Sequence, residues 1–315
     1  MLQLQKCDLC GGNNFTQLYE SYDKMHNIEG NYNLNKCINC GLIFINPQPV
    51  LNELMKHYPS EGYYSLKKDV DKSGFTKLLE MTYYEKKRTL LTPFKLIFSP
   101  FPRTLITVKQ GRYLDVGCGR GDFLLFPKME GMDCYGVELG DFDNEFAANN
   151  KLEIFHGNLK DADYPDNFFD VISLNHVYEH VDKPMETITE LHRILKPGGK
   201  IVLATPQSKS LAHWLFGKNW VQLDTPRHLF IYNTKTLISY ANKAGLKLNK
   251  VRYNSQPFQF LGSVYYFWSS IRGKRPELVK SNFVKNKVLF FMLLPLSHLV
   301  NFLKIGDQVE LILQK

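Results

Sequence analysis

The sequence predicts an α/β fold, in which a small cysteine-rich N-terminal module precedes a doubly wound, seven-stranded, mostly parallel sheet. From residue 112 onward, short apolar runs alternate with helical stretches, a rhythm typical of a parallel sheet with helices on both faces. Three glycines directly follow the first run, in YLDVGCGRGDF, where such a fold turns from strand to helix. Two C-x-x-C pairs within the first forty residues predict the separate module.

Seven segments are the predicted strands of the sheet. The first five are RYLDV (112–116), CYGVEL (134–139), LEIF (152–155), FDVISL (169–174) and KIVLAT (200–205). The sixth follows the helix in LISYANKAGLKLNKVRY (237–253), and the seventh is in DQVELILQK. Because no helical pattern follows the last strand, the sixth and seventh strands are expected to form an antiparallel hairpin at the sheet edge.

Composition limits the possible classes of protein. The chain has 315 residues, 44% of them apolar, and a mean hydropathy of −0.27, which excludes a bundle of membrane spans. The net charge of +8 suits nucleic acid, anionic lipid or a phosphorylated substrate, and equally a merely solvated basic surface. Six cysteines without a signal peptide favour a reducing, cytoplasmic compartment.

The two cysteine pairs predict a metal site in residues 1–60. Cys7 and Cys10, like Cys37 and Cys40, form C-x-x-C followed by glycine, which permits a tight turn beneath two thiolates. Two such knuckles complete the tetrahedral thiolate site that zinc favours, as in a zinc ribbon. Four cysteines leave no open position, so the expected role is structural or docking. The alternative is two reduced or redox-active dithiols.

Two further segments carry expectations of their own. Residues 61–111 are predicted to be a helical linker or cap before the large domain, 112–315. An insertion at about 257–305 contains FVKNKVLFFMLLPLSHLVNFLK, which is apolar, flanked by lysines and split by Pro295. Its apolar core is too short to span a bilayer. Residues 283–304 are expected either to lie on the inner face of a membrane or to pack against the core or a second subunit.

The glycine-rich turn predicts a ligand bed at the carboxyl ends of the strands, because backbone without side chains permits close approach. Gly117, Gly119 and Gly121 are spaced G-x-G-x-G, and Asp122 stands where the dinucleotide fingerprint requires its third glycine. Asp115 places a carboxylate at the mouth, which disfavours a pyrophosphate. A cationic nucleoside, S-adenosylmethionine with its sulfonium and ammonium, fits better than NAD.

Polar residues after the next strands extend this prediction. Glu138 ends the second strand and can accept both hydroxyls of a ribose, a device that NAD proteins share. After the third strand, Asn158 is suited to hydrogen-bond an adenine edge, and Leu159 to cover a ring face. Polar side chains in SLNHVYEHV follow the fourth strand.

These motifs resemble those of class I S-adenosylmethionine-dependent methyltransferases, which have a Rossmann-like fold. The resemblance rests on LDVGCGRGDF, YGVELG, GNLKDADYPDNFFDVISLNHVYEHV and HRILKPGGKIVLATP. The double knuckle and LDTPRHLFIYNTKTLISYANKAG resemble a subgroup of sugar and surface-polysaccharide methyltransferases. The family likeness implies that Asp115, Gly117 and Gly119 line the methionine end, Asn175 meets the ammonium, Glu138 binds the ribose, and Asn158 and Leu159 meet the adenine.

A hydroxyl acceptor also needs a base, and three histidines are candidates. They are His176, His180 and His228, with Glu179 and Asp224 as nearby carboxylates. His180 is alternatively a helix cap or packing residue. In DTPRHLF, Arg227 and His228 either bind a phosphate or sugar acid, or belong to a turn fixed by Pro226 and an arginine salt bridge.

The sequence therefore predicts methyl transfer from S-adenosylmethionine to a sugar, a glycan intermediate, free or lipid-linked, or a related small metabolite. The alternative is an RNA methyltransferase that docks through the zinc module and the basic charge. NHVY stands where an Asn-Pro-Pro-aromatic motif would follow strand four, and no dense arginine–lysine stripe is present, so nucleic acid is the less favoured partner. A non-catalytic scaffold and an NAD-dependent sugar enzyme are disfavoured by the glycine loop and its spacing.

Overall fold

A computed structural model describes residues 1–58 and 103–315. Most of the helical linker predicted for 61–111 lies outside the described residues. The described chain forms two sheets with helices packed around them, and this confirms the predicted α/β class.

The larger sheet has seven strands, as predicted. In chain order they are β4 (Arg112–Val116), β5 (Asp133–Glu138), β6 (Glu153–His156), β7 (Phe169–Asn175), β8 (Leu195–Pro206), β10 (Lys247–Tyr253) and β11 (Gln308–Gln314). Their spatial order is β10-β11-β8-β7-β4-β5-β6. The five strands from β8 to β6 are parallel, whereas β11 runs antiparallel to both β8 and β10. The predicted hairpin is therefore present, with β10 at the edge.

Helices cover both faces of this sheet. They are α2 (Leu125–Met129), α3 (Asn144–Asn149), α4 (Pro184–Ile194) and α6 (Thr234–Lys243). Three further helices, α5 (Leu211–Phe216), α7 (Phe258–Ile271) and α8 (Lys287–Phe302), share a core cluster with the smaller sheet. Helix α4 buries Ile188, Leu191 and Ile194 on one face, at helical spacing. Helix α6 starts at a capping box, in which the Asn233 side chain accepts from the amide of Thr236 at 3.1 Å.

The smaller sheet joins two parts of the chain that the sequence analysis assigns to separate domains. Its strands are β1 (Phe15–Ser21), β2 (Tyr32–Cys37), β3 (Ile43–Ile45) and β9 (Phe230–Ile231), followed in the N-terminal segment by the short helix α1 (Leu51–Leu54). Strand β3 pairs antiparallel with β9, with Phe44 opposite Phe230. Leu42 and Phe44 belong to the same buried cluster as Leu174 of the large sheet. The N-terminal segment thus shares a sheet and a core with the following domain.

The C-terminal insertion forms α7 and α8, which enclose an apolar groove of about 300 Å³ lined by residues such as Phe260, Leu293 and Leu296. Helix α8 continues through Pro295 rather than splitting there. The proline removes one hydrogen bond, to the carbonyl of Phe291, and Phe291 lies on the exposed side, where water can replace the donor. Among the described residues, no helix has the length and apolarity needed to cross a membrane.

Candidate functional site

The glycine turn lies where β4, β5 and β7 end. Gly117, Gly119 and Gly121 all have positive φ, at +69°, +58° and +94°. A Cβ atom on Gly117 would lie 2.3 Å from Cγ2 of Val177, so no side chain fits there. The three glycines therefore form a turn without side chains at the carboxyl edge of the sheet. The conformational cost of glycine is accepted here because the turn requires it.

The carboxylate of Glu138 lies against this turn. Its Oε2 accepts a hydrogen bond from the amide of Gly119 and its Oε1 one from the amide of Gly140, each at 2.8 Å. A carboxylate oxygen has two lone pairs, so each oxygen keeps capacity for a hydroxyl donor. The half-buried anion fits a ribose and a cationic ligand beside the loop, and it opposes a pyrophosphate.

Asp115, the second predicted anion, is completely buried at the end of β4. It accepts from Ser173 Oγ at 2.5 Å and pairs with Arg103 Nη1 at 3.4 Å. Burial raises the pKa of Asp115, and the positive charge of Arg103 opposes that rise. The guanidinium of Arg103 also lies over the ring of Phe123, 4.9 Å from its centre. Sequence reasoning missed Arg103 as a site residue because it belongs to the predicted linker.

The other predicted cofactor residues lie on two different strand ends. Asn158 is exposed after β6, and its Oδ1 accepts from the amides of Lys160 and Asp161, both at 3.0 Å. Leu159 is buried in the main core cluster. Asn175 is the last residue of β7, half-buried and paired with Ala204 of β8. Asn158 thus closes a local turn after β6, and Asn175 ends β7, both at the sheet edge that carries the glycine turn.

The three predicted histidines gather around Glu179, just beyond β7. His176 has a positive φ of +55°, rare for a residue other than glycine, and its Nδ1 lies 3.2 Å from Glu179 Oε1. Thr205 Oγ1 donates to Glu179 Oε2 at 2.9 Å. Burial alone would raise the pKa of Glu179, but its hydrogen bond with His176 and the neighbouring histidines lower it to about 2. Glu179 therefore carries its charge at neutral pH.

Two of these histidines are fixed by backbone carbonyls. Nδ1 of His180 lies 3.0 Å from the carbonyl oxygen of Arg227, and Nδ1 of His228 lies 2.8 Å from that of Gln222. A carbonyl only accepts, so Nδ1 of His228 carries the proton and its Nε2 is bare in the neutral ring. Nδ1 of His180 also lies 3.0 Å from the hydroxyl of Tyr58, which can donate or accept. Burial, and after it the proximity of His228, lowers the pKa of His180 to about 4, so that His180 is neutral at pH 7.

Arg227 is a buried structural residue rather than an open anion site. Its guanidinium is 0% exposed and donates to Asp224, to Asp23 and to the carbonyl of His57, over distances of 2.6–3.1 Å. Asp23 is anchored further by His57 Nδ1 at 2.8 Å. The structure thus agrees with the salt-bridge alternative for DTPRHLF, extended across to the N-terminal segment.

The four predicted metal ligands converge. One Sγ atom from each of Cys7, Cys10, Cys37 and Cys40 lies within 4.8 Å of the others, and the two closest pairs are 3.5 Å apart. Thiolates 2.3 Å from a tetrahedral zinc ion would be about 3.8 Å apart. Gly11 and Gly41, with φ of +71° and +77°, donate their amides to the carbonyls of Cys7 and Cys37. The cluster therefore fits the geometry of a four-thiolate zinc site.

Comparison with known proteins supports the interpretation of the large sheet as part of a methyltransferase domain. Residues 86–251 match the family described as "Methyltransferase domain". The demethylmenaquinone methyltransferase of Lysinibacillus sphaericus is 29% identical over 114 residues, which are 33% of this chain and 49% of that protein. That of Bacillus licheniformis is 28% identical over 107 residues, 31% and 46%. The chain spans about half the length of the curated relatives it matches.

The chain is also similar to solved structures of methyltransferases. A SAM-dependent methyltransferase from Archaeoglobus fulgidus is 21% identical, and the alignment covers 76% of this chain and 94% of that one with a TM-score of 0.46. The geranyl diphosphate C-methyltransferase of Streptomyces coelicolor is 15% identical, with 78% and 86% covered and a TM-score of 0.46.

Proposed function

The chain belongs to the methyltransferase domain family, and from this premise we propose that it transfers a methyl group from S-adenosylmethionine to a sugar, a glycan intermediate or a related small metabolite. The observation that carries the proposal is the bare turn through Gly117 and Gly119 with the Glu138 carboxylate against it. Family membership supports the reaction class, and the acceptor class rests on the two cysteine knuckles together with LDTPRHLFIYNTKTLISYANKAG.

The residues at the carboxyl edge divide the binding of the cofactor among them. When bound, S-adenosylmethionine supplies a methyl group activated by a positively charged sulfur. Glu138 binds the ribose hydroxyls, because its two oxygens keep free lone pairs. Gly117 and Gly119 allow close backbone approach, with Asp115 beneath them and Asn175 at the ammonium end. Asn158 and Leu159 form the adenine side of the site.

His176 is the proposed acceptor of the proton from a hydroxyl substrate. Its side chain is 26% exposed, whereas that of Glu179 is 1% exposed and that of His228 is 7%. Because Nδ1 of His176 bonds to the Glu179 carboxylate, the ring is oriented and its Nε2 remains for the substrate. His180 and His228, fixed through Nδ1, complete the polar wall beside it.

Two parts of the proposal concern the ends of the chain. The four cysteines hold a structural zinc ion, which their sulfur spacing supports. Residues 283–304 contact a membrane surface and bring the enzyme to a lipid-linked acceptor. In support, α8 exposes Val288, Met292 and Phe302, whose side chains are 68%, 71% and 83% exposed, and exposed Lys285, Lys287 and Lys304 flank it.

Replacing Glu138 with alanine is expected to weaken binding of S-adenosylhomocysteine by about 2–3 kcal/mol, or roughly 30- to 150-fold, because charged hydrogen bonds to the ribose are lost. Isothermal titration calorimetry measures the Kd. Glu138→Gln keeps the shape and removes the charge, and Glu153→Ala is the matched control at the exposed β6 position. Equal affinities for Glu138→Ala and wild type would remove the ribose assignment; no binding by wild type would remove the proposed cofactor.

An acceptor screen with isotope-labelled S-adenosylmethionine is expected to give a methylated product with a lipid-linked sugar, and less product with the matching nucleotide sugar. The expected preference arises because the exposed apolar face of α8 gathers the enzyme at vesicles that carry the acceptor. Mass spectrometry detects the label. His176→Ala should lower turnover about 100-fold at saturating acceptor without changing the affinity for S-adenosylhomocysteine. A nucleotide sugar methylated equally well without lipid would contradict the membrane part of the proposal.

A further inference from the structure

We propose that Glu179, His180 and His228 bind a divalent transition-metal ion, at a site distinct from the four cysteines. One ligand atom from each residue lies within 4.8 Å of the other two. Nε2 of His228 is 3.9 Å from Oε1 of Glu179. Two ligands that are both 2.1 Å from a tetrahedral ion are about 3.4 Å apart, so a small side-chain adjustment closes the site.

The orientation of the two imidazoles is the second, independent observation. Metal-bound histidines almost always donate their other ring N–H to a carboxylate, a backbone carbonyl or water, which fixes the tautomer and exposes a bare nitrogen. His228 does this, through Nδ1 to the carbonyl of Gln222, and Nδ1 of His180 lies 3.0 Å from both the carbonyl of Arg227 and the hydroxyl of Tyr58. Nε2 of His228 is therefore a bare nitrogen 3.9 Å from a carboxylate oxygen, an arrangement that a histidine held by packing alone does not need.

The carboxylate of Glu179 is also held in place by neighbouring residues. Glu179 is 1% exposed, and Thr205 Oγ1 holds its Oε2 at 2.9 Å, which leaves Oε1 toward the histidines. His176 reaches the same oxygen with Nδ1. A buried anion needs positive charge nearby, and a divalent ion supplies it. Hydrogen bonds to a ligand from surrounding residues, such as those of Thr205 and His176 to Glu179, are typical of metal sites.

The donor set indicates which ions fit. Two imidazoles and one carboxylate suit zinc, iron, cobalt and manganese, whereas magnesium and calcium prefer oxygen ligands alone. Three protein ligands leave positions for water or another ligand, unlike the closed four-cysteine cluster. The site follows β7, at the same sheet edge as the glycine turn. It goes beyond the proposed methyl transfer, and its test does not require bound cofactor.

Titration of the zinc-loaded full-length chain with Mn²⁺ is expected to show one saturable Mn²⁺ per chain. Loss of the free-ion signal in electron paramagnetic resonance measures binding, and thiolates do not compete because they select softer ions. Glu179→Gln and His228→Ala should each weaken Mn²⁺ binding at least about tenfold. His192→Ala is the control, since His192 lies near the end of α4, before β8 begins and so at the opposite sheet edge.

Circular dichroism and thermal melting test whether each variant is folded. If His228→Ala fails to fold, Glu179→Gln still tests the site, because the glutamine keeps the hydrogen bond with Thr205. Loss of Mn²⁺ binding in folded Glu179→Gln, with binding kept in His192→Ala, supports the site. Wild-type protein that binds neither Mn²⁺ nor Co²⁺ beyond its zinc content would overturn it, as would unchanged affinity in Glu179→Gln. Calorimetry with S-adenosylhomocysteine tests the cofactor separately, so the two proposals can fail independently.

Discussion

Replacing Arg227 with methionine is expected to lower the free energy of unfolding by about 3–5 kcal/mol, because it leaves the buried carboxylate of Asp23 and the largely buried one of Asp224 without their cation. Burial alone would lower the pKa of Arg227, but the two carboxylates raise it, so the guanidinium is charged. Its contacts join residues 204 positions apart in the chain, so the loss affects the junction between the N-terminal segment and the large sheet. Urea unfolding followed by fluorescence measures the change.

The matched control for Arg227 is Arg193→Met on α4. Arg193 also forms two ion pairs, with Asp166 and Glu190, but its side chain is 37% exposed. Exposed pairs contribute about 0–1 kcal/mol, so this variant should stay within that range. Arg227→Lys keeps the charge but loses the planar fork, and an intermediate loss is expected. Equal losses of unfolding free energy for Arg227→Met and Arg193→Met would show that the buried ion pairs contribute no more to stability than the exposed ones.

Replacing Cys37 with serine is expected to remove the zinc ion and unfold the N-terminal segment. Structural zinc contributes an apparent binding free energy of about 10–16 kcal/mol in small zinc-binding peptides, so loss of one of four ligands is severe. Cys37 is also completely buried in the core cluster that contains Leu114 and Leu174 of the large sheet. The loss should therefore lower the thermal midpoint of the whole chain as well as its zinc content.

Inductively coupled plasma mass spectrometry measures the zinc per chain, with one expected for wild type and near zero for Cys37→Ser. Cys134→Ser is the control, because Cys134 is a buried cysteine of β5 outside the four-cysteine cluster. It should keep its zinc and lose only packing energy. Wild-type protein purified without metal, or Cys37→Ser with full zinc content, would favour the dithiol alternative.

The parts of the fold that follow local rules could be predicted from the sequence. Periodicity located the strands of the large sheet, and the bare turn at Gly117 follows from a local need for positive φ. The cysteine knuckles are local for the same reason: each glycine closes a turn of five residues, Cys7 to Gly11 and Cys37 to Gly41. The boundary at residue 60 and the cofactor residues stay predictions.

Contacts between distant parts of the chain could not be predicted. The two residues of β9 carry no strand pattern of their own, and they become a strand only because β3 lies beside them. The pairing of Arg103 with Asp115 spans a segment that periodicity assigned to a linker. The sequence identified Glu179 and His228 as candidates for proton transfer, but nothing local indicates that they and His180 share one space. Such groupings arise from tertiary packing.

The pairing of β3 with β9 has a consequence for synthesis on the ribosome. Phe230 is synthesised roughly 190 residues after Phe44, so during translation the edge of β3 stays unpaired until β9 has been made. An unpaired edge of this kind is prone to join another nascent chain. The four cysteines of the N-terminal cluster all lie within the first forty residues. A metal ion bound early would therefore stabilise the N-terminal strands until the rest of the chain has been synthesised.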